Sequence, residues 1–377
     1  LLFDGGAFGC NYLGFFGQCV RGHSIVADFL DSDGLELAAG NKVFSFQFNN
    51  LNGTLGNTAN ITVAEPGVED GSTSIGDIDG DGKLDVIVLR NANNSAETGL
   101  WVWNPRTGKI IAHSFTDGTG GSVPFVGDVD GDCVPEIGIN YNGKLVLYYY
   151  DGTKNLKKKY TKVTSDNNSG VIGMTMFDLN QDGSQEIIYR DRTNFTILDG
   201  PTGKTVYSYP MLSVTGTEYP VVVDINHDGS AEILIEGGIT SSDTTYVFCF
   251  ESANLPWAPA RSVWNQAGYH ITNVNDDLTI PRQPQNNAAF FDTDSCAQTT
   301  CPQPYNTFMC QATYRTQDGC VKWPAVDLSV DGLSYRCEPD SLYLTLVVRN
   351  QSDNALKKDS VLLGIYEQGG QVPLLSR

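Results

Sequence analysis

Asp77-Ile78-Asp79-Gly80-Asp81-Gly82-Lys83-Leu84-Asp85 is the stretch on which the reading of this 377-residue chain turns. The nine-residue pattern returns as Asp128-Val129-Asp130-Gly131-Asp132-Cys133-Val134-Pro135-Glu136. It returns again as Asp178-Leu179-Asn180-Gln181-Asp182-Gly183-Ser184-Gln185-Glu186 and as Asp224-Ile225-Asn226-His227-Asp228-Gly229-Ser230-Ala231-Glu232. The first Asp advances by 51, 50 and 46 residues. A looser copy lies one period upstream, with Asp28, Asp31, Asp33 and Glu36, one residue short between Gly34 and Glu36. A fixed period of this size marks an array of small units; separate sandwiches would need about 100 residues each.

The flanks of the nonapeptide repeat with it. A short apolar stretch precedes each loop, as in Val123–Val126 and Val221–Val223, and a β-rich run follows: Val86-Ile87-Val88-Leu89, Ile137-Gly138-Ile139, Ile187-Ile188-Tyr189, Ile233-Leu234-Ile235. Such runs are too short for helices and rich in β-branched residues, so each loop joins two strands. A second pair of strands is joined at Asn104–Lys109, Asp151–Lys154 and Asp199–Lys204, turns that fall 27, 23 and 21 residues after the first Asp of their loops. About four strands per ~50 residues is the arithmetic of a propeller blade. The expected fold is all-β: a β-propeller of about six or seven four-stranded blades over residues 1–290, a Cys-rich linker over 291–325, and the opening of a β-sandwich over 326–377.

The loops have the chemistry of a hard-cation site. Ca2+ takes six to eight oxygen ligands in a flexible cage. Acid or amide side chains at positions 1, 3 and 5, a backbone carbonyl at position 7 and an acid at position 9 can supply them, and Gly at position 6 permits the sharp turn. The expected ligand sets are Asp77, Asp79, Asp81, Lys83 and Asp85; Asp128, Asp130, Asp132, Val134 and Glu136; Asp178, Asn180, Asp182, Ser184 and Glu186; and Asp224, Asn226, Asp228, Ser230 and Glu232. The irregular first loop offers Asp28, Asp31, Asp33 and Glu36, and the third carries Cys133 where Gly is expected. An EF-hand shares the opening residues but needs Glu at position 12, where this chain has Val88, Ile139, Tyr189 and Ile235.

At these residues the chain resembles the FG-GAP/VCBS repeat family, calcium-loop propellers that include the integrin α-subunit head. A further stretch, Trp257-Ala258-Pro259-Ala260-Arg261-Ser262-Val263-Trp264-Asn265-Gln266 with Asn273–Arg282, is similar to a segment that follows such repeats in large multidomain surface proteins of Bacteroidetes. The resemblance implies an exported protein that belongs to a longer chain. Residues 326–377 look like the start of an Ig-like or CARDB-like adhesion domain, with Leu342, Leu344, Leu346 and Val348 on the buried face of one strand.

Charge excludes some partners. Lys and Arg number 24 against 44 Asp and Glu, a net charge of −20, which disfavours nucleic acid and anionic lipid. The five loops hold 18 of those 44 acids, so the charge is largely site charge. No apolar run is long enough to span a membrane, and the chain opens with neither Met nor a signal-peptide pattern, as a processed product would. Nine cysteines are present, an odd number. For Cys296, Cys301, Cys310 and Cys320, local disulfides such as Cys296–Cys301 and Cys310–Cys320 are a better reading than zinc, because C-x-x-C and His are missing there; Cys337 is then the odd one.

Other features tempt. Gly203-Lys204-Thr205 lacks the first Gly of a P-loop. Lys154, Lys157, Lys158, Lys159 and Lys162 form a basic run, either a solvated hairpin or a contact for an anionic glycan. Trp101 and Trp103 share one strand face, as core or as a sugar-stacking platform. His227 is a spacer in its loop and should face solvent. Two functions remain. One is an extracellular, calcium-stiffened adhesion or binding module for a protein or glycan at the cell surface. The alternative is a carbohydrate-active enzyme of the polysaccharide-lyase kind, which needs a base near a polarised uronate; no such cluster is evident, and the binding module is the preferred reading.

Overall fold

A computed structural model of the chain describes residues 24–30, 34–53, 56–90, 98–116, 121–166, 170–213, 218–239, 245–253, 256–288, 305–311, 313, 328–350, 364–366 and 373–376. Strands dominate them. The first sheet consists of β1 (Ile25–Ala27), β2 (Glu36–Ala39), β3 (Lys42–Gln47) and β4 (Thr58–Val63); the second of β5 (Ser72–Gly76), β6 (Asp85–Leu89), β7 (Thr98–Asn104) and β8 (Lys109–Thr116). The third consists of β9 (Phe125–Gly127), β10 (Glu136–Tyr141), β11 (Lys144–Tyr149) and β12 (Lys157–Val163); the fourth of β13 (Met174–Phe177), β14 (Glu186–Arg190), β15 (Asn194–Asp199) and β16 (Thr205–Pro210). A fifth sheet has three strands, β17 (Val221–Val223), β18 (Glu232–Gly237) and β19 (Tyr246–Phe250).

Every sheet is an antiparallel meander in chain order. Burial falls from the first strand outward: β5 and β6 are buried throughout, as is β13, whereas β4 and β16 are largely exposed. The cause is packing order. β1 lies against β5, β5 against β9, β9 against β13, and β13 against β17. The first strands thus line a common axis and the sheets radiate from it, which makes the chain a β-propeller. The second strands β6 and β10 are buried on both faces, so they carry continuous apolar runs such as Val86–Leu89 rather than alternating ones. The equally buried β5 is built largely of small residues, Ser72-Thr73-Ser74-Ile75-Gly76.

Trp101 and Trp103 are buried in β7, and the Trp103 indole N–H donates to the Gly40 carbonyl at 3.3 Å. They are core residues, and the sugar-platform alternative fails. Bulges fall at one place in three sheets. The pairing of the third with the fourth strand skips Ile111 on β8, Lys159 on β12 and Val206 on β16. A bulge leaves its extra residue unpaired and re-aims the side chain.

Residues 256–288 carry one short 3-10 turn, Ile271–Asn273. They are stitched to the fourth and fifth sheets by Ala258 N–H to Leu179 O at 2.9 Å and by Asp224 N–H to Arg261 O at 3.2 Å. At the other side, Gly268 packs on Ile25 of β1. The anchor is Arg261. Its buried guanidinium donates to Asp276 Oδ1 (2.7 Å), Ile271 O (2.7 Å), Val274 O (2.7 Å) and the Tyr269 hydroxyl (3.2 Å). The Tyr269 hydroxyl in turn donates to Gln311 Oε1 at 2.7 Å.

That last bond leads to a segment the sequence placed in the linker. Residues 305–311 are buried against the axis. Phe308 and Val126 exchange backbone hydrogen bonds of 2.9 and 3.0 Å. The Asn306 amide accepts from Asp77 N–H (2.9 Å) and donates to Asp77 O (2.8 Å), while Gln311 donates to Val222 O and Val263 O at 3.2 Å each. Cys310 is buried as a free thiol, so the expected Cys310–Cys320 bridge is not formed; the residue is core packing. Cys133 is disulfide-bonded, with a partner outside the described residues. Cys10, Cys19, Cys296, Cys301 and Cys320 also lie outside them.

Two hairpins follow: β20 (Leu328–Glu338) with β21 (Ser341–Asn350), and β22 (Gly364–Tyr366) with β23 (Pro373–Ser376). The expected strand around Leu342 exists, but Leu342, Tyr343, Leu344 and Val347 are all exposed. Among the described residues β20 and β21 form a sheet of two strands with no second layer over it, too little to bury one face.

Candidate metal centre

Each acidic loop is a turn between the first two strands of its sheet, built by the same hydrogen bonds. In the second loop the first Asp turns back on its own backbone: Asp77 Oδ1 accepts from Gly80 N–H (2.8 Å) and Oδ2 from Gly82 N–H (2.8 Å). Asp81 N–H donates to Asp79 Oδ1 at 3.2 Å, and Lys83 N–H to Asp81 Oδ1 at 2.9 Å. Asp85 Oδ2 accepts from Ile78 N–H at 3.0 Å and closes the loop. The third loop repeats this through Cys133 N–H to Asp128, Val134 N–H to Asp132 and Val129 N–H to Glu136. The fourth does so through Gly183 to Asp178, Ser184 to Asp182 and Leu179 to Glu186, and the fifth through Gly229 to Asp224, Ser230 to Asp228 and Ile225 to Glu232.

The turn needs two left-handed residues. Position 6 has φ of +81° at Gly82, +71° at Cys133, +90° at Gly183 and +87° at Gly229. Position 4, which the sequence did not single out, has +76° at Gly80, +75° at Gly131, +55° at Gln181 and +63° at His227. Glycine takes these angles without a Cβ penalty; Cys133, Gln181 and His227 do not. His227 is exposed, as expected, and its Nδ1 lies 3.1 Å from the Ser262 hydroxyl. In the first loop Asp31 and Asp33 lie outside the described residues. Glu36 keeps the ninth-position role, accepting from Phe29 N–H at 2.9 Å, but Asp28 is exposed where Asp77 is buried.

In several of the loops one carboxylate oxygen is left over once the backbone bonds are made. Asp85 Oδ1, Asp130 Oδ1, Asp178 Oδ1 and Asp224 Oδ1 are buried without a hydrogen-bond partner. Carboxylate oxygens of Asp77, Asp79 and Asp85 lie within 4.8 Å of one another, as do those of Asp128, Asp130 and Glu136. These acidic clusters can hold a metal ion: the donors are all hard oxygens, and a cation is what the stranded oxygens lack. Burial pushes the carboxyls up, with neighbouring acids adding to it: Asp77, Asp128 and Asp224 are raised, Asp85 well raised, Asp178 reaches about 6, and Glu186 and Glu232 about 7.

The loops differ at position 3. Asp79 offers a second carboxylate oxygen, whereas the Asn180 amide N–H points at Asp182 Oδ2 (3.2 Å) and Glu186 Oε1 (3.3 Å), and that of Asn226 at Asp228 Oδ2 (3.1 Å). Ligation through these amides requires the side chain to turn over. Cations of the chain also approach two loops. Arg106 donates to Asp81 Oδ2 at 3.1 Å but stays 4.0 Å from Asp85 Oδ1. Lys159 forms ion pairs with Asp130 Oδ2 and, at 2.7 Å, with Glu136 Oε1. Burial raises Glu136 to about 7 against the pull of that ammonium. Burial opposes the charge of Lys159 too, yet the two carboxylates hold its pKa above the ordinary value. The remainder of the basic run lies in or beside β12, where Lys162 donates to the Thr205 hydroxyl at 3.0 Å.

The model of the FG-GAP-like repeat matches residues 77–139 and 128–189, two overlapping units that each start on a loop Asp. The chain carries FG-GAP-like repeats. These matches span the second, third and fourth loops, and the fifth loop shares their hydrogen bonds. No curated protein sequence matches the chain. Among solved structures, the biofilm matrix protein Bap1 of V. cholerae is similar at 15% identity and a TM-score of 0.49, over 78% of this chain and 77% of that one. The rhamnogalacturonan lyase YesW is similar at 17% identity and 0.40, over 60% of this chain and 48% of the lyase. An Agrocybe aegerita lectin that recognises non-reducing terminal N-acetylglucosamine is similar at 14% identity and 0.37, over 60% and 70%.

Proposed function

We propose that the chain is an extracellular binding module whose FG-GAP-like loops are stiffened by Ca2+ and whose propeller surface recognises a protein or a glycan. The observation that carries the calcium reading is the stranded oxygen repeated at Asp85, Asp178 and Asp224. In the second loop the ligands would be Asp77, Asp79, Asp81, Asp85 and the Lys83 carbonyl. The corresponding sets are Asp178, Asn180, Asp182, Glu186 and the Ser184 carbonyl, and Asp224, Asn226, Asp228, Glu232 and the Ser230 carbonyl. Bound Ca2+ would neutralise carboxylates that otherwise repel at close range. The disulfide at Cys133 supports an oxidising, extracellular setting. Residues 305–311, packed on the first strands, favour recognition on the outer surface over chemistry on the axis.

Thermal unfolding with and without chelator tests the calcium reading. An ion that binds only the folded chain contributes about 2.7 kcal/mol per site at 100-fold saturation, so chelation should lower the melting temperature by several degrees. An identical melt in both conditions sinks it. A glycan and protein binding screen of the calcium-loaded chain tests the recognition half. Unsaturated products from an acidic polysaccharide would make it a lyase instead.

A further inference from the structure

The third loop has acids at the same four positions as the second and, like the second, fourth and fifth, one buried oxygen without a hydrogen-bond partner, Asp130 Oδ1, but a cation of the chain already sits on two of its carboxylates. Lys159 reaches Asp130 Oδ2 and Glu136 Oε1, the third- and ninth-position acids. These are two of the three residues whose oxygens cluster within 4.8 Å. The acid on the far side of the pair is essentially buried, at 1% exposure, and Lys159 itself is only 21% exposed.

The backbone explains how the ammonium gets there. Lys159 is the residue that the β11–β12 pairing skips. The positions skipped in the neighbouring sheets are Ile111 and Val206, both apolar. The bulge is therefore shared by the second, third and fourth blades, and the lysine is peculiar to one of them. An ammonium is a compact point charge with three donors; two of them are used on the loop acids.

We propose that the third loop takes no divalent cation, because Lys159 supplies its positive charge from the outer-strand bulge. The proposal rests on the reading of the second, fourth and fifth loops as calcium sites. It makes the chain heterogeneous by design of sequence: three loops that respond to calcium and one that is neutralised at any calcium concentration.

Calcium equivalents bound at saturation, measured by equilibrium dialysis on the full chain, test it beside thermal melts in chelator. Lys159→Met should bind one equivalent more than the wild type and melt at a lower temperature in chelator; Lys159→Arg and Val206→Met should match the wild type in equivalents. Asp130→Asn, in the presence of Lys159, should leave the count unchanged, and a loss of one equivalent there overturns the proposal even if Lys159→Met does not fold. Equal, non-zero counts for wild type and Lys159→Met also overturn it. If neither binds calcium, the calcium reading of the other loops is what fails, and the chelated melts decide the lysine's role. A fall in melting temperature for Lys159→Met that Glu136→Gln relieves upholds the internal ion pair, and an unchanged melt overturns it.

Discussion

Gly183 sits at φ +90° with open space where a Cβ would stand. Its substitution therefore isolates backbone strain from crowding. Gly183→Ala should lose about 1 kcal/mol in a denaturant melt; a loss several times larger would show that the turn is not open as described. The acids and the sixth-position glycine of this turn were legible in the sequence because every bond they make closes within nine residues. The left-handed fourth position was not, since Gln181 and His227 hide a requirement that Gly80 and Gly131 display. His270 gives a residue-scale test of burial. The ring is buried against Phe308, and desolvation lowers its pKa from 6.5 to about 4. A lowered folded value means the contribution to stability is complete above pH 6.5 and is lost as pH falls toward 4. Relative to His270→Gln, the wild type should lose roughly 3 kcal/mol across that window, measured as the pH dependence of the difference in unfolding free energy. A difference that stays flat from pH 7 to 4 removes His270 from the acid sensitivity of the fold.

At the scale of elements, strands and hairpins follow the repeat, and sequence period located them well. Two things escaped it. The outer-strand bulges depend on pairing register, so Lys159 read as one member of a basic run rather than as a side chain aimed at an acidic loop. Residues 305–311 carry no repeat signal at all; their place is fixed by Val126, Asp77, Val222 and Tyr269, all distant in sequence. Phe308 is the apolar centre of that segment and is fully buried. Phe308→Ala should cost about 3–5 kcal/mol, read as a shift in the denaturation midpoint. A shift below 1 kcal/mol would mean the segment can leave the axis without consequence for the blades.

For the molecule as a whole, the repeats were enough to announce a propeller. They could not announce that the fifth sheet has three strands among the described residues, nor that residues 256–288 bridge from it toward β1 with scarcely any regular structure. That bridge depends on Arg261, whose donors satisfy carbonyls that strands would otherwise pair. The bond between Asn306 and Asp77 spans 229 residues. On a ribosome, the second and third blades emerge long before the segment 305–311 that packs on their inner edge. Until residue 311 is available they stand with exposed backbone groups and apolar surface, the condition in which large β proteins fold slowly and associate with the wrong partners. Synthesis order is thus part of this protein's problem, and the early blades need either protection or patience.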